Sequence, residues 1–270
     1  MLRRPVLVAA FEGWNDAGDA ATTAARWLRD RFATDDVAEI DPEEFFDFTS
    51  TRPEARLVDG AREIAWPSNA FSAGSVAGRD IVVLLGTEPQ LRWRTFCAQV
   101  VEVATAIDAE LVVTLGALLA EVPHTRPTSV MATSEHPAIA AEHQLERSSY
   151  EGPTGIVGVL HQACVTAGLP TLSLWAAVSA YVPGAPSPKA ALALIERLAE
   201  LLVLPVVTTD LEIASAAYER QVSEVVADDE EMTDYLARLE RSYDDDSVPS
   251  PTSLIREVEE FLREQPPGAS

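Results

Sequence analysis

The sequence predicts an α/β protein: a three-layer α/β/α sandwich built on a mostly parallel sheet, followed by an acidic helical extension. Two observations carry the core and a third carries the extension. Short β-branched runs, apolar on both faces, alternate with stretches of helical periodicity, as buried parallel strands and their crossover helices do. Strand–helix–strand repeats of this kind connect by right-handed crossovers and cover both faces of the sheet. After Thr209 the character changes: 17 acidic and 5 basic residues lie between Asp210 and Ser270, in a chain of net charge −23. That change divides the chain into a core domain, residues 1–209, and an extension, residues 210–270.

The expected central strands are residues 6–11, 81–85, 111–115 and 172–178. A first helix follows from Ala17, Ala20, Ala21, Ala24, Trp27 and Leu28 at helical spacing, and a second from Trp93, Phe96, Cys97, Val100, Val101, Ala104 and Ile107. The third carries Ile156, Val159, Leu160, Ala163 and Ala167, with Gly168 and Pro170 as stop signals. Ser187-Pro188, a cap followed by a first-turn proline, opens a fourth with Leu194, Ile195, Leu198, Leu201 and Leu202. Residues 40–78 are less periodic; weak strand signals at 45–48 and 62–66 suit a hairpin or edge strands. In the extension, Met232, Tyr235, Leu236 and Leu239 form one helical stripe and Leu254, Ile255, Val258, Phe261 and Leu262 another. Residues 244–251 read as a linker between them, ending in a Ser250-Pro251 cap. Such helices either dock on the core or a neighbouring subunit, or stand solvated with one stripe buried.

With 270 residues and 47% hydrophobic content, the chain has enough apolar side chains for a large core. Its negative charge argues against nucleic acid and anionic membranes, since both demand clustered Lys and Arg. Partners that fit are neutral small molecules, metals or proteins with a basic patch. The N-terminal run, residues 6–11, is too short for a signal peptide, and no apolar stretch approaches a membrane span, so a cytoplasmic protein is expected. Cys97 and Cys164 lie on helix stripes outside any CxxC pair and read as buried thiols. Lysine occurs only at Lys189, so a Schiff-base or phosphate-binding lysine can only be that residue.

In open α/β sheets ligands sit beyond the carboxyl ends of the strands, which directs attention to three loops. The first, FEGWNDAGDAA at residues 11–21, brings Glu12, Gly13, Asn15, Asp16 and Gly18. It lacks the GxGxxG and GK[ST] of nucleotide loops, its acids repel phosphate, and Asn15 or Asp16 also suits a helix cap. In the second, GTEPQLRW at residues 86–93, Glu88 is a candidate general base or an ordinary first-turn glutamate. The third, GALLAEVPHTRP at residues 116–127, is the most chemically loaded: Glu121, His124 and Arg126 together suit acid–base work, carboxylate recognition or a satisfied surface cluster. YEGPTGIVG, residues 150–158, either approaches a ligand closely or makes a tight turn into a helix. His136, His143 and His161 show no HxxxH or HExxH spacing and no GxSxG occurs, so neither a zinc site nor a nucleophile elbow is expected, and no cofactor is called for.

Taken together, FEGWNDAGDAA, the GTEP–W–F pattern, GALLAEVPHTRP, YEGPTGIVGVLHQAC with AGLPTLSLWAAV, and SPKAALALIERL resemble the proteasome assembly chaperone 2 family, in particular its bacterial branch. The match runs in order from residue 11 to about residue 202. In that family Pro-His precedes Tyr-Val after SLWAAV, whereas here Ser179 and Ala180 precede Tyr181, which weakens an enzyme reading. The resemblance implies a sandwich similar to nucleoside phosphorylase and hydrolase folds, assembling as a homo-oligomer with a trimer favoured. The family takes its name from a subunit that helps assemble proteasome rings by binding, not by catalysis. The expected function is therefore a non-catalytic protein-binding or assembly-chaperone-like oligomer. Two alternatives stand beside it: a small-molecule hydrolase or phosphorylase-like transferase using the loops above, and a structural ring whose acidic appendages recruit basic partners.

Overall fold

A computed structural model describes residues 3, 5–182 and 184–245. Its strands are β1 (Val6–Glu12), β2 (Asp35–Ile40), β3 (Glu54–Val58), β4 (Ala61–Ala65), β5 (Asn69–Val76), β6 (Arg79–Thr87), β7 (Leu111–Ala120), β8 (Val130–Thr133) and β9 (Thr171–Ser179). Its helices are α1 (Ala20–Phe32), α2 (Trp93–Ala106), α3 (Pro137–His143), α4 (Ile156–Thr166), α5 (Pro188–Leu202), α6 (Thr209–Ala227) and α7 (Glu230–Asp245).

A strand that is apolar on both faces has to be covered on both, and β1 sets the layers accordingly. Val6, Val8 and Ala10 pack with α1 and α5 on one side, while Leu7, Ala9 and Phe11 pack with α2 and α4 on the other. The four runs expected as central strands are the four parallel strands, adjacent in the order β6-β1-β7-β9. Antiparallel strands complete the sheet, β5 and then β2 beyond β6, and β8 beyond β9. The three-layer α/β fold is thus the one the alternation of runs and helices implies.

Residues 45–48 correct the sequence reading, because they form no strand. Pro42–Glu44 make a 3-10 turn capped by Asp41, whose carboxylate accepts from the Glu43 N–H at 3.0 Å. Phe45 and Phe46 are then both buried in the same cluster. Adjacent strand residues point to opposite faces, so only a turn can send both rings one way. The Phe45 ring meets Phe96 edge-to-face at 5.4 Å, and Phe96 meets Phe11 at 5.8 Å. The second weak signal, residues 62–66, falls on β4, which pairs with β3 in a separate exposed hairpin. Its turn uses Asp59 and Gly60 at φ 50° and 84°, the left-handed pair that a two-residue hairpin loop requires.

The two C-terminal helices pack on the rest of the chain: Leu211 of α6 joins the main core, and a small third cluster lies between the helices and the segment after β9. Asp210 at the start of α6 accepts from the Trp27 indole N–H at 3.0 Å and pairs with Arg31 at 2.9 Å. Tyr218, Val222 and Val226 of α6 then close over Tyr181, Val182 and the Met232–Leu236 side of α7. Asp244 and Asp245, expected to begin a linker, end α7; the remaining linker residues, the Ser250-Pro251 cap and the Leu254–Leu262 stripe lie outside the described residues.

Phe45 tests the corrected reading. Phe45→Ala removes a fully buried ring from a packed aromatic cluster and is expected to cost about 3–5 kcal/mol. Urea unfolding of the variant checks this, and a loss below about 1 kcal/mol would mean the ring is not a core element.

Candidate functional site

The sheet reverses direction about β1: the chain moves from β1 to β6 on one side, then returns across to β7 on the other. Loops beyond such a switch point diverge and leave a crevice at the carboxyl ends of the strands. A cleft of about 590 Å3 lies there. One wall is the loop after β1, residues 13–18; β7, β8 and β9 form the floor. The segment before α4 and one face of that helix close the opposite side.

The loop after β1 is held by hydrogen bonds to β7 and to the start of α1. Gly13 and Gly18, at φ 124° and 58°, provide the turns at its two ends. Between them the Asn15 carbonyl accepts from the Ala117 N–H at 2.8 Å, joining the loop to β7. Asp16 is buried, and one carboxylate oxygen accepts from the Ala21 and Thr22 N–H groups at 2.7 and 3.1 Å. Its other oxygen accepts from the Thr22 hydroxyl. Asp16 therefore caps α1 across the intervening 3-10 turn, Ala17–Asp19. Burial pushes its carboxyl up to about 6, against these hydrogen bonds, which pull the other way, and with help from nearby Asp19.

Asn15 and Glu88 serve a different helix. The N–H of Val157 donates to Asn15 Oδ1 at 3.3 Å, and that of Ile156 to Glu88 Oε1 at 2.8 Å. Both free donors belong to the first turn of α4, whose cap residue Gly155 has no side chain of its own to supply. A Cβ on Gly155 would lie 2.1 Å from Asn15 Oδ1, so glycine is the residue that lets the amide approach. Glu88 is thus a helix cap, although for α4 and not for the helix that follows it in sequence. Glu12 points to Arg26 at 3.2 Å and to the Thr87 hydroxyl at 3.4 Å, and is not part of the cleft wall.

Glu121, His124 and Arg126 stand apart from the cleft and clasp the C-terminal helices. Arg126 makes a two-pronged pair with Asp244 at 2.8 and 2.7 Å and reaches Glu240 at 3.2 Å, both on α7. Glu121 accepts from the Tyr235 hydroxyl at 3.1 Å. The buried His124 backbone N–H donates to the Tyr181 hydroxyl at 2.8 Å, and His124 Nδ1 lies within hydrogen-bond distance of the same oxygen at 2.7 Å. His124 Nε2 in turn is hydrogen-bonded to the Ser223 hydroxyl of α6 at 2.9 Å, so both ring nitrogens have a partner. Burial, and then the Lys189 charge, lower the His124 pKa and keep the ring neutral. Lys189 itself donates to the His124 carbonyl and pairs with Glu219 of α6 at 2.7 Å. The chain's one lysine is thereby a tie between loop and extension.

Of the residues singled out in the sequence, Gly13, Asn15, Asp16 and Gly18 line the cleft, Glu88 abuts Gly13 and Trp14 behind it, and the other four lie elsewhere. Tyr150, from the 150–158 segment singled out in the sequence, also lines the cleft, as do His161 and Trp175, which sequence reasoning missed. For His161 a signal existed: it sits three residues after Gly158 on one face of α4, the helix that the glycine-containing 150–158 segment leads into. Cys97 and Cys164 are buried, and burial raises both thiols to about 12, so neither is poised to react. Among the described residues no group of three or more His, Cys, Asp or Glu side chains is placed to hold a metal, and no helix is long and apolar enough to cross a membrane.

The model of the PAC2 family matches residues 10–226. The chain belongs to the PAC2 family. A PAC2 family protein from Streptomyces avermitilis is 44% identical, with TM-score 0.81 over 86% of this chain and 99% of that one. A Mycobacterium tuberculosis proteasome-assembly chaperone homologue is likewise 44% identical, with TM-score 0.77 over the same 86% and 99%. A Pyrococcus furiosus archaeal homolog of proteasome-assembly chaperone shares the PAC2 fold at 16% identity, TM-score 0.58, over 90% of this chain and 96% of that one. The sequence finds no match among curated proteins.

Two measurements follow from this geometry. Because the Asp16 carboxyl binds its proton more tightly folded than its ordinary value of 3.8, its favourable contribution is complete below that value and is lost as pH rises through about 6. Asp16→Asn keeps a carbonyl for the Ala21 and Thr22 donors but carries no charge. Its stability relative to the parent is therefore expected to increase by about 1–2 kcal/mol between about pH 5 and pH 7.5, and parallel unfolding curves would contradict this. In the second, Arg126→Glu is expected to raise amide hydrogen exchange throughout α7 while β1 and β7 stay protected, with high salt producing part of the same effect in the parent.

Proposed function

We propose that the protein is a non-catalytic, assembly-chaperone-like binding protein that works as a homo-oligomer in the cytoplasm, with a trimer as the favoured state. What carries this reading is the use made of its reactive side chains. Asp16, Glu88, His124, Arg126 and Lys189 are each engaged in helix capping or in holding the extension. A hydrolase or phosphorylase-like transferase needs a nucleophile or base free to meet substrate, and Asp16, the one shifted carboxylate on the cleft wall, already accepts three hydrogen bonds. Membership of the PAC2 family and the likeness to a protein described as a proteasome-assembly chaperone homologue support the same direction. In this reading residues 1–209 are the scaffold, and the acidic extension, residues 210–270, gives partners with basic surfaces a face to approach.

The test is to mix the purified protein with unassembled proteasome subunits from its own cell and to follow complexes by native mass spectrometry. A stoichiometric complex with unassembled subunits that is absent with finished particles is expected, together with a three-fold mass for the free protein. No complex at micromolar concentration, with subunit assembly unaltered by the protein, would remove the assembly reading.

A further inference from the structure

We propose that the cleft is a binding site for a small planar aromatic molecule without negative charge, stacked on an indole and hydrogen-bonded to the His161 imidazole. This is independent of the assembly reading, since it concerns a cleft that none of the clasp residues enters. Its volume of about 590 Å3 lies within the range of small-molecule pockets, and it opens at the switch point of the sheet.

The walls are aromatic and set by backbone constraints. Trp175 on β9 lies against β7 at Gly116, where a Cβ would come within 2.6 Å of its ring. Its indole N–H is tethered to Ser173 Oγ at 3.0 Å, so the ring is a fixed, flat surface. Trp14, in the loop after β1, is 47% exposed although that loop is pinned at Asn15 and Asp16. Tyr150 adds a third ring from the segment before α4, its hydroxyl donating to the Pro153 carbonyl at 2.6 Å. Rings presented from three separate segments to one cavity suit a flat aromatic guest.

The polar contact comes from His161. Its Nδ1 is buried without a hydrogen-bond partner, and burial lowers the pKa so that the ring is neutral. A buried nitrogen with no acceptor is the poorer place for the proton, which leaves N–H on Nε2, the one ring nitrogen open to a guest. The matching group on the ligand is an acceptor, a carbonyl or a ring nitrogen.

Charge defines what is turned away. Asp16 and Glu135 are the charged side chains of the lining, and among the described residues no Lys or Arg joins them. Arg147 stands outside, paired to Glu135 at 3.7 Å. The nearby N-terminus of α4, which elsewhere would attract an anion, is already occupied by the Glu88 carboxylate and the Asn15 amide. A phosphate or carboxylate therefore finds repulsion and no cationic partner, whereas an uncharged or cationic ring is not repelled.

The experiment is calorimetric titration of the full chain with three bicyclic probes: uncharged quinolin-2-one, cationic 4-aminoquinoline and anionic quinoline-4-carboxylate. The first two are expected to bind, and the anion at least about tenfold more weakly. Trp14→Ala, at an exposed position, should weaken both binders about five- to tenfold. His161→Phe should weaken the lactam selectively, with circular dichroism confirming that both variants are folded. Equal affinity for the anion, affinities unchanged in both variants, or no binding by any probe below about 1 mM would each overturn the proposal.

Discussion

Burial of β1 on both faces is the constraint from which the remaining arrangement follows. Val6 through Phe11 are all excluded from solvent, so each face needs its own layer of helices and the strand itself has no room for a polar side chain. Polar residues are displaced to the strand's carboxyl end, where the chain must also turn and start α1. There the first-turn N–H groups of α1 and α4 need acceptors, and Asp16, Asn15 and Glu88 supply them. Two loops far apart in sequence are locked together as a result. The cleft owes its shape to this locking, since the same residues that cap the helices hold its wall in place.

The clasp on the extension follows a related logic. His124 is buried within the loop between β7 and β8 and must satisfy two ring nitrogens and a backbone N–H there. Tyr181 and Ser223 do so only if α6 stays in place, and Lys189 reinforces the contact from α5 through Glu219. Around this buried centre, Arg126 with Asp244 and Glu121 with Tyr235 form a more exposed ring of contacts that favours register more than stability. The extension is thereby fixed by a small buried network and guided by peripheral charges.

How much of this was legible depends on whether the signal was local. The four parallel strands and helices α1, α2, α4 and α5 were read correctly because each carries its period in its own residues, and Ser187-Pro188 marks its helix by capping chemistry alone. Residues 45–48 were misread because two adjacent aromatics look strand-like until Pro42 and the Phe96 cluster are known. Edge strands β2 and β8 were missed: the first is largely exposed and the second has four half-buried residues, so neither shows the double-sided apolar run used to find the centre. The three candidate loops follow from their place beyond the carboxyl ends of strands, but neither place nor residue type reveals a partner. Glu121, His124 and Arg126 look like a reactive trio in sequence, yet their partners are separated by 114, 99 and 118 residues for Tyr235, Ser223 and Asp244.

Electrostatics joins the scaffold to what it can bind. Arg26, Arg31, Arg92, Arg126, Arg197 and Lys189 are each paired with a carboxylate of the same chain. Those pairs neutralise little of the total, because 43 acidic side chains face 20 basic ones. The excess therefore acts as a long-range field that concentrates cationic groups near the surface and repels anions, within a Debye length of about 8 Å at physiological salt. A protein partner with a basic patch at the surface and a cationic ring in the cleft are both favoured by that field, and an uncharged ring is not opposed by it. Neither needs a charge from this chain to be freed from its partner, so binding at one place leaves the caps and the clasp that shape the other intact.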